Sequence, residues 1–160
     1  MALYPELAPA WSELGTARQR LSQTAGAEQA LRRALEAAPK YLKPYAQLAE
    51  LLGDEERWAD SLALAERALR LNPVGFPQVV CEHARASLHM GNLEAAEKSA
   101  REAVADDLDR AVPQAEYILG EVLEARGDRT GAVERMKKYL SLDKHGKYAD
   151  AARKRLIEWK

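Results

Sequence analysis

The 160-residue sequence offers almost nothing on which thiol or soft-metal chemistry could be built. It has one cysteine, Cys81, and three histidines, His83, His89 and His145. A lone cysteine cannot close an internal disulfide, and a single thiol says little about compartment. His83 and His89 stand six apart, on opposite sides of a helix rather than at the i, i+4 spacing of a zinc-binding helix. Cys81 and His83, two apart, diverge in the same way. No glycine-rich phosphate loop is present, since Gly131 and Gly146 stand alone. A helical position near the core explains His83 better than catalysis does. The acidic pairs Asp106-Asp107 and Glu55-Glu56 read as solvated turns. The expectation is a non-enzyme, with no catalytic residue, no metal and no cofactor.

No run of 18 or more apolar residues occurs, so no helical membrane span is expected. The N-terminus lacks a basic segment followed by an apolar stretch, so no signal peptide is visible and the compartment stays open. Phenylalanine is nearly absent, with Phe76 alone, and aliphatic residues and alanine carry the hydrophobic content. With 31 % charged residues, the composition fits a helix-rich soluble protein. Its Ala/Leu/Arg bias hints at a bacterial source.

The net charge of −1 hides an asymmetry. Residues 1–125 hold 13 Lys/Arg against 20 Asp/Glu, a balance of −7, and residues 126–160 hold 11 against 5, a balance of +6. The basic end reads either as a solvated surface on the last helices or as a landing patch for an acidic partner. The acidic body disfavours nucleic acid, including an RNA-binding helical array, because phosphate binding draws on positive charge along the track.

What the sequence does have is a period. Pro5, Pro39 and Pro73 fall 34 residues apart, each closing a similar Ala-Leu-rich run. A fixed period of this size means stacked structural repeats rather than one globular core. Starts at Ala8, Leu42, Pro77 and Pro113 differ by 34, 35 and 36 residues, which puts the extra residues in loops around Gly75 and Asp109. Each unit reads as two amphipathic helices. In the first, Trp11, Leu14, Arg18 and Leu21 share a face, followed by Ala27, Leu31, Ala34 and Leu35. Gly91-Asn92 and Gly127-Asp128 break the helices of their units, and Pro39 and Pro73 stand where a second helix stops. Gly15, Ala49, Ala84 and Gly120 occupy one repeat position and Ala27, Ser61, Ala96 and Ala132 another, as close helix approach requires.

These residues carry a resemblance. Trp11-x2-Leu14-Gly15, then Ala27-x3-Leu31, then Pro39, is similar to the tetratricopeptide repeat signature W-x2-L-G-x2-Y, A-x3-F, P over 34 residues. Arg18 stands where an aromatic is usual, and in the third unit His83 and Ser87 replace apolar residues. The resemblance implies an all-α, right-handed superhelical solenoid of antiparallel helix pairs forming one domain. Its repeats are expected at about 8–41, 42–76, 77–112 and 113–144. A capping helix is expected over about 146–160, with Tyr148, Ala152, Leu156 and Trp159 turned inward. Residues 1–7 read as the remnant of an upstream repeat, so the N-terminal face near Trp11 is expected to be free to pair in a homodimer.

The resemblance also implies that the first helix of each repeat lines a concave groove. Carried over by position, the groove residues are Ser12, Thr16, Gln19 and Arg20; Lys43, Ala46 and Glu50; Gln78, Cys81, Arg85, Leu88 and His89; and Gln114, Tyr117, Glu121 and Glu124. Leu88 and Tyr117 read as apolar anchors, Arg85 as the partner of an acidic side chain, and Glu121 and Glu124 as partners of a basic one. The Lys/Asn carboxylate clamp of some co-chaperones is missing, because its positions read Ser12/Thr16, Ala46/Glu50, Cys81/Arg85 and Tyr117/Glu121. The function so implied is protein–protein interaction, with a peptide segment or partner protein held in the groove, inside a larger protein. The alternative is an architectural spacer or self-association module.

Overall fold

The computed structural model describes residues 4–72, 76–107 and 109–159. The described residues are helical, without strands. A 3-10 turn at Pro5–Leu7 leads into α1 (Ala8–Arg20), α2 (Thr24–Ala37), α3 (Lys43–Asp54), α4 (Trp58–Leu71), α5 (Pro77–His89), α6 (Leu93–Asp106), α7 (Gln114–Ala125), α8 (Arg129–Leu142) and α9 (Ala149–Glu158). Each helix packs on the next, and the odd helices also touch in series: α1 on α3, α3 on α5, α5 on α7. Successive even helices make no comparable contact among the described residues. The stack therefore curves with the odd helices on its inner wall, the all-α solenoid that the period implies.

The same turn joins the helices of all four pairs. Ser22, Glu56, Gly91 and Gly127 take positive φ of 58°, 60°, 79° and 85°, and they recur with the 34-, 35- and 36-residue steps of the repeat starts. At each turn the amide after this residue donates to a carbonyl five residues back: Gln23 to Arg18, Arg57 to Leu52, Asn92 to Ser87 and Asp128 to Leu123, all at 2.9 Å. This is the Schellman pattern, which satisfies carbonyls that a helix end would otherwise leave unpaired. Asn92 and Asp128 then cap α6 and α8 by accepting from the Ala95 and Gly131 N–H groups. The glycine breaks are thus as expected, but Ser22 and Glu56 hold the same left-handed conformation without being glycine. Pro39 lies just past the end of α2; Pro73 and Gly75 lie outside the described residues.

Small residues let the paired helices close. A Cβ placed on Gly15 would lie 2.6 Å from Leu31 Cγ, and one on Gly120 would lie 3.0 Å from Met136 Cε. In the second pair Ser61, at the small position, donates its hydroxyl to the Ala49 carbonyl at 2.8 Å, so a buried polar atom is satisfied across the crossing. Arg18 is accommodated by another small residue. Its guanidinium donates to the Gly26 carbonyl at 3.0 Å, and a Cβ on Gly26 would lie 3.1 Å from Arg18 Cδ, tight enough that the arginine would have to shift. His83, in an apolar slot of the third pair, bonds Ser99 Oγ through Nδ1 at 2.9 Å.

The core falls into two clusters. One gathers Leu31, Tyr45, Leu48, Leu52 and Val79, and the other Val80, Ile118, Leu119, Met136 and Tyr139, with Leu69 packed against both. Each large side chain removed from water contributes about 1.5–3 kcal/mol. Between α6 and α7, Asp107 is an organising residue rather than a solvated turn. Its carboxylate accepts the Ala111 and Val112 N–H groups at 2.8 and 2.9 Å.

Two substitutions at equivalent positions separate packing from propensity. Gly15→Ala meets the branch of a fully buried leucine, and overpacking of about 1–3 kcal/mol outweighs the ~1 kcal/mol that alanine adds to a helix. A lower midpoint in urea denaturation is expected. Gly120→Ala is tightest against the flexible end of Met136, with the Ala132 carbonyl and Arg135 Cβ no nearer than 3.4 Å, so its midpoint should stay level or rise. At the turn, Glu56→Gly relieves a left-handed residue and should raise the melting temperature, worth up to ~1 kcal/mol.

Candidate functional site

The inner wall is built by one face of each odd helix. Lys43, Gln47, Glu50 and Asp54 on α3, and Gln78, Glu82, Arg85 and His89 on α5, follow the three- and four-residue spacing that brings side chains onto one helical face. Gln114, Tyr117, Glu121 and Glu124 continue it on α7. Between α3, α5 and α7 lies an open pocket of about 320 Å³, lined by residues that include Glu50, Phe76, Gln78, Glu82 and Gln114.

Much of the groove expected from the repeat positions is already engaged within the chain. Ser12 is fully buried and donates its hydroxyl to Gln47 Oε1, while Gln47 Nε2 donates to Thr16 Oγ1 at 2.6 Å. This three-residue network ties α1 to α3. Gln19 is half-buried and Arg20 exposed near the end of α1. The Lys43 ammonium bonds Glu13. Ala46 is buried, as is Cys81, whose thiol is pushed well up by burial.

Arg85 departs furthest from expectation. Only 5 % of it is exposed, so it cannot serve as the open partner of an acidic peptide side chain. Its guanidinium pairs with Asp54 at 2.7 Å and Glu82 at 3.2 Å, and also donates to the Tyr148 hydroxyl at 3.1 Å. It lies over the Trp58 ring, 5.3 Å from the centroid, and His89 stacks on the same indole at 3.7 Å. Burial works against the charge of Arg85, yet Glu82, Tyr148 and Asp54 hold its pKa above the ordinary value. Burial, with Arg85 nearby, lowers that of His89.

The segment after α8 supplies inner-wall residues that the repeat positions do not flag. Lys147 reaches Glu50 at 3.1 Å and both Asp54 oxygens at 2.6 Å. Tyr148 stacks on Tyr117 with ring centroids 4.5 Å apart, which leaves Tyr117 only 3 % exposed and closed as an anchor. Arg155 on α9 pairs with Glu121 at 2.8 Å and with Glu124. The two carboxylates read as partners of a basic side chain do have one, from the same chain. Leu88 is half-buried against the second core cluster. Of the expected groove residues, Lys43, Ala46, Glu50, Gln78 and Gln114 line the pocket, joined by Gln47, Glu82 and Phe76.

Glu82 is the buried carboxylate of this wall, 5 % exposed. Burial raises its pKa to about 7, against the opposing pull of Arg85. Between about pH 4.5 and 7 the folded chain therefore keeps a proton that the unfolded chain has released, and stability falls as pH rises across that window. Glu82→Gln removes this linkage. The melting temperature of the variant relative to the parent should climb from pH 4.5 to 7 and then level off, as thermal melts across that range would register.

Three kinds of comparison bear on this architecture. Residues 8–41 match the model of the tetratricopeptide repeat family. No curated protein matches the chain. Among solved structures, the chain is similar to the MamA protein, at 20 % identity over 96 % of this chain and 90 % of that one, with a TM-score of 0.66. It is also similar to pilF of Pseudomonas aeruginosa, at 21 % identity over 96 % of this chain and 68 % of that one, with a TM-score of 0.78. A third is TTC0263, a thermophilic TPR protein of Thermus thermophilus, at 18 % identity over 95 % and 80 % of the two chains, with a TM-score of 0.74.

Proposed function

We propose that this chain, a tetratricopeptide repeat protein by the match of residues 8–41 to the family model, is a protein–protein interaction module whose inner wall holds a segment of a partner protein. The observation that carries this reading is the open pocket between α3, α5 and α7. Its apolar wall is Phe76, and the Gln78 and Gln114 side chains lining it make no hydrogen bond among the described residues. Unpaired amides beside an aromatic ring suit a peptide, whose backbone needs donors and acceptors and whose side chains need an apolar seat. The groove is shorter than the repeat positions imply, because Arg85, Tyr117, Glu121 and Glu124 are engaged within the chain.

A second reading, self-association, has its own observation. Val133, Leu156, Ile157 and Trp159 line a separate cavity of about 430 Å³ on α8 and α9, and Ile157 is 68 % exposed. Apolar exposure of this kind marks contact surfaces.

Affinity capture from the source lysate separates the two. A Gln78→Trp, Gln114→Trp double variant fills the pocket without touching a buried contact, so its circular dichroism should match the parent. Partner capture should fall by roughly tenfold or more, the loss expected when a central binding position is blocked. Capture that survives this variant but fails with Ile157→Lys would place the contact on α9 instead.

A further inference from the structure

The outer side of α8 and α9 is a face that the repetition of the fold leaves unfilled. Each earlier odd helix is packed against the even helix that follows it, and α9 is the last helix among the described residues. Beside it lies the cavity of about 430 Å³ lined by Val133 and Lys137 of α8 and by Arg153, Leu156, Ile157 and Trp159 of α9. Earlier pairs show what such a place receives. Glu28 on α2 and Glu97 on α6 stand at the repeat position of Val133. Each is met by an arginine of the next pair's turn, Arg57 at 2.9 Å and Arg126 at 2.6 Å. This is a side that a stacked helix pair covers.

One charge on this side has lost its counterpart. In the first pair Glu28 holds Arg32 at 2.6 Å, and in the third Glu97 holds Arg101 at 2.7 Å, each across one helical turn. The fourth pair has Val133 and Lys137 at the same two positions, so the cation stays and the carboxylate is gone. The second pair, with Leu62 and Glu66 there, has no cation to satisfy. Lys137 makes no bond among the described residues, and Glu134, three residues back, forms no ion pair with it. Arg153, the other polar residue of the lining, pairs at 2.8 Å with Asp150, a fully exposed carboxylate on its own helix, and donates to the Lys144 carbonyl. Exposed pairs of this kind hold weakly. No carboxylate is among the residues lining the cavity. Arg135, Lys147 and Arg155, from the same basic end, are already taken by Glu116, Asp54 and Glu121.

We propose, beyond the inner wall and on the face that the self-association reading uses, that this cavity seats an amphipathic helix of a partner protein, its apolar stripe flanked by Asp or Glu. The helix would lie against α9 as each even helix lies against its odd one, with apolar side chains on Val133, Leu156, Ile157 and Trp159. Its carboxylates would meet Lys137 and Arg153, supplying from outside what Glu28 and Glu97 supply within the chain. A groove of this kind reads apolar anchors at three- and four-residue spacing. Its concavity takes projecting side chains, where an anionic membrane would offer a flat surface. The cations oppose pairing of the face with itself, since a two-fold contact sets the same patch against the same patch. A helix bound here leaves the pocket between α3, α5 and α7 untouched.

The probe is a phage library of helical peptides, randomised along one face and selected on the immobilised full chain. Selected peptides are then measured by fluorescence anisotropy against Lys137→Glu, Ile157→Lys and Gln78→Trp, each first matched to the parent by circular dichroism. The expected peptides carry apolar residues at three- and four-residue spacing beside Asp or Glu. Their binding falls roughly tenfold or more on Ile157→Lys, the loss of a central anchor contact. It falls on Lys137→Glu as well, and returns there when the peptide carboxylate is exchanged for a lysine side chain. It is unchanged on Gln78→Trp. Peptides without acidic enrichment, or indifferent to Lys137→Glu, would overturn the acidic helix while leaving the α8–α9 face as a contact surface. Peptides lost only on Gln78→Trp would overturn this site and leave the inner-wall reading standing, and a selection that yields none would overturn it too. Sedimentation of the parent is measured alongside. An oligomer that Ile157→Lys dissociates would give the face to a second copy and overturn the partner helix.

Discussion

Everything in this chain depends on how closely the two helices of each pair can approach. Where Gly15 faces Leu31, no side chain separates the helices, and Leu31 fills the space entirely. Ser61 solves the same crossing differently, bonding the carbonyl of Ala49. Ala84 with Ala96, and Gly120 with Ala132, complete the series as buried small residues. Each pair leaves an apolar side that only the next pair can cover, so the units stack, and the stacking turns the odd helices inward. The inner wall is a consequence of this crossing, not a separate design.

Arg85 is the point at which the repeat is put to particular use. A buried guanidinium is tolerable only when its donors are met and its charge is opposed. Here Asp54 comes from α3, Glu82 from its own helix, and Tyr148 from the segment after α8. Three separated stretches of sequence are thereby held at one place. The asymmetry between an acidic body and a basic end has a partial resolution in the same region. Lys147 and Arg155 are committed to Glu50, Asp54, Glu121 and Glu124 rather than left as a landing patch for an acidic partner.

The turns show where reading from sequence succeeds and where it stops. Gly91 and Gly127 announce themselves, because glycine is the residue that accepts positive φ without strain. Ser22 and Glu56 take the same conformation and carry no such mark, since the surrounding helices impose it. The pocket shows the same split. Glu50, Gln78 and Gln114 follow from repeat position. Glu82 and Phe76 do not, though the spacing of Gln78, Glu82 and Arg85 on one helical face is a signal that points to Glu82. Lys147 and Arg155 have no signal beyond the charge asymmetry, while Tyr148 is marked by the inward-turned stripe of the capping helix, though not as a partner of Arg85 or Tyr117. Arginine and tyrosine at groove positions read as open contacts, and only their neighbours reveal that Arg85 and Tyr117 are closed.

Residue order by itself determined the period, the helix pairs, the small-residue crossings and the superhelical class. All of these are short-range: a helix needs its neighbours at i+3 and i+4, a turn needs one permissive residue, and a repeat needs the next repeat. Tertiary structure decided which groove positions stay open. That outcome depends on where Lys147 and Arg155 land, some 93 and 34 residues from the carboxylates Asp54 and Glu121 that they meet. Coulombic pairing acts through space and not along the chain, so no local pattern in the sequence records it.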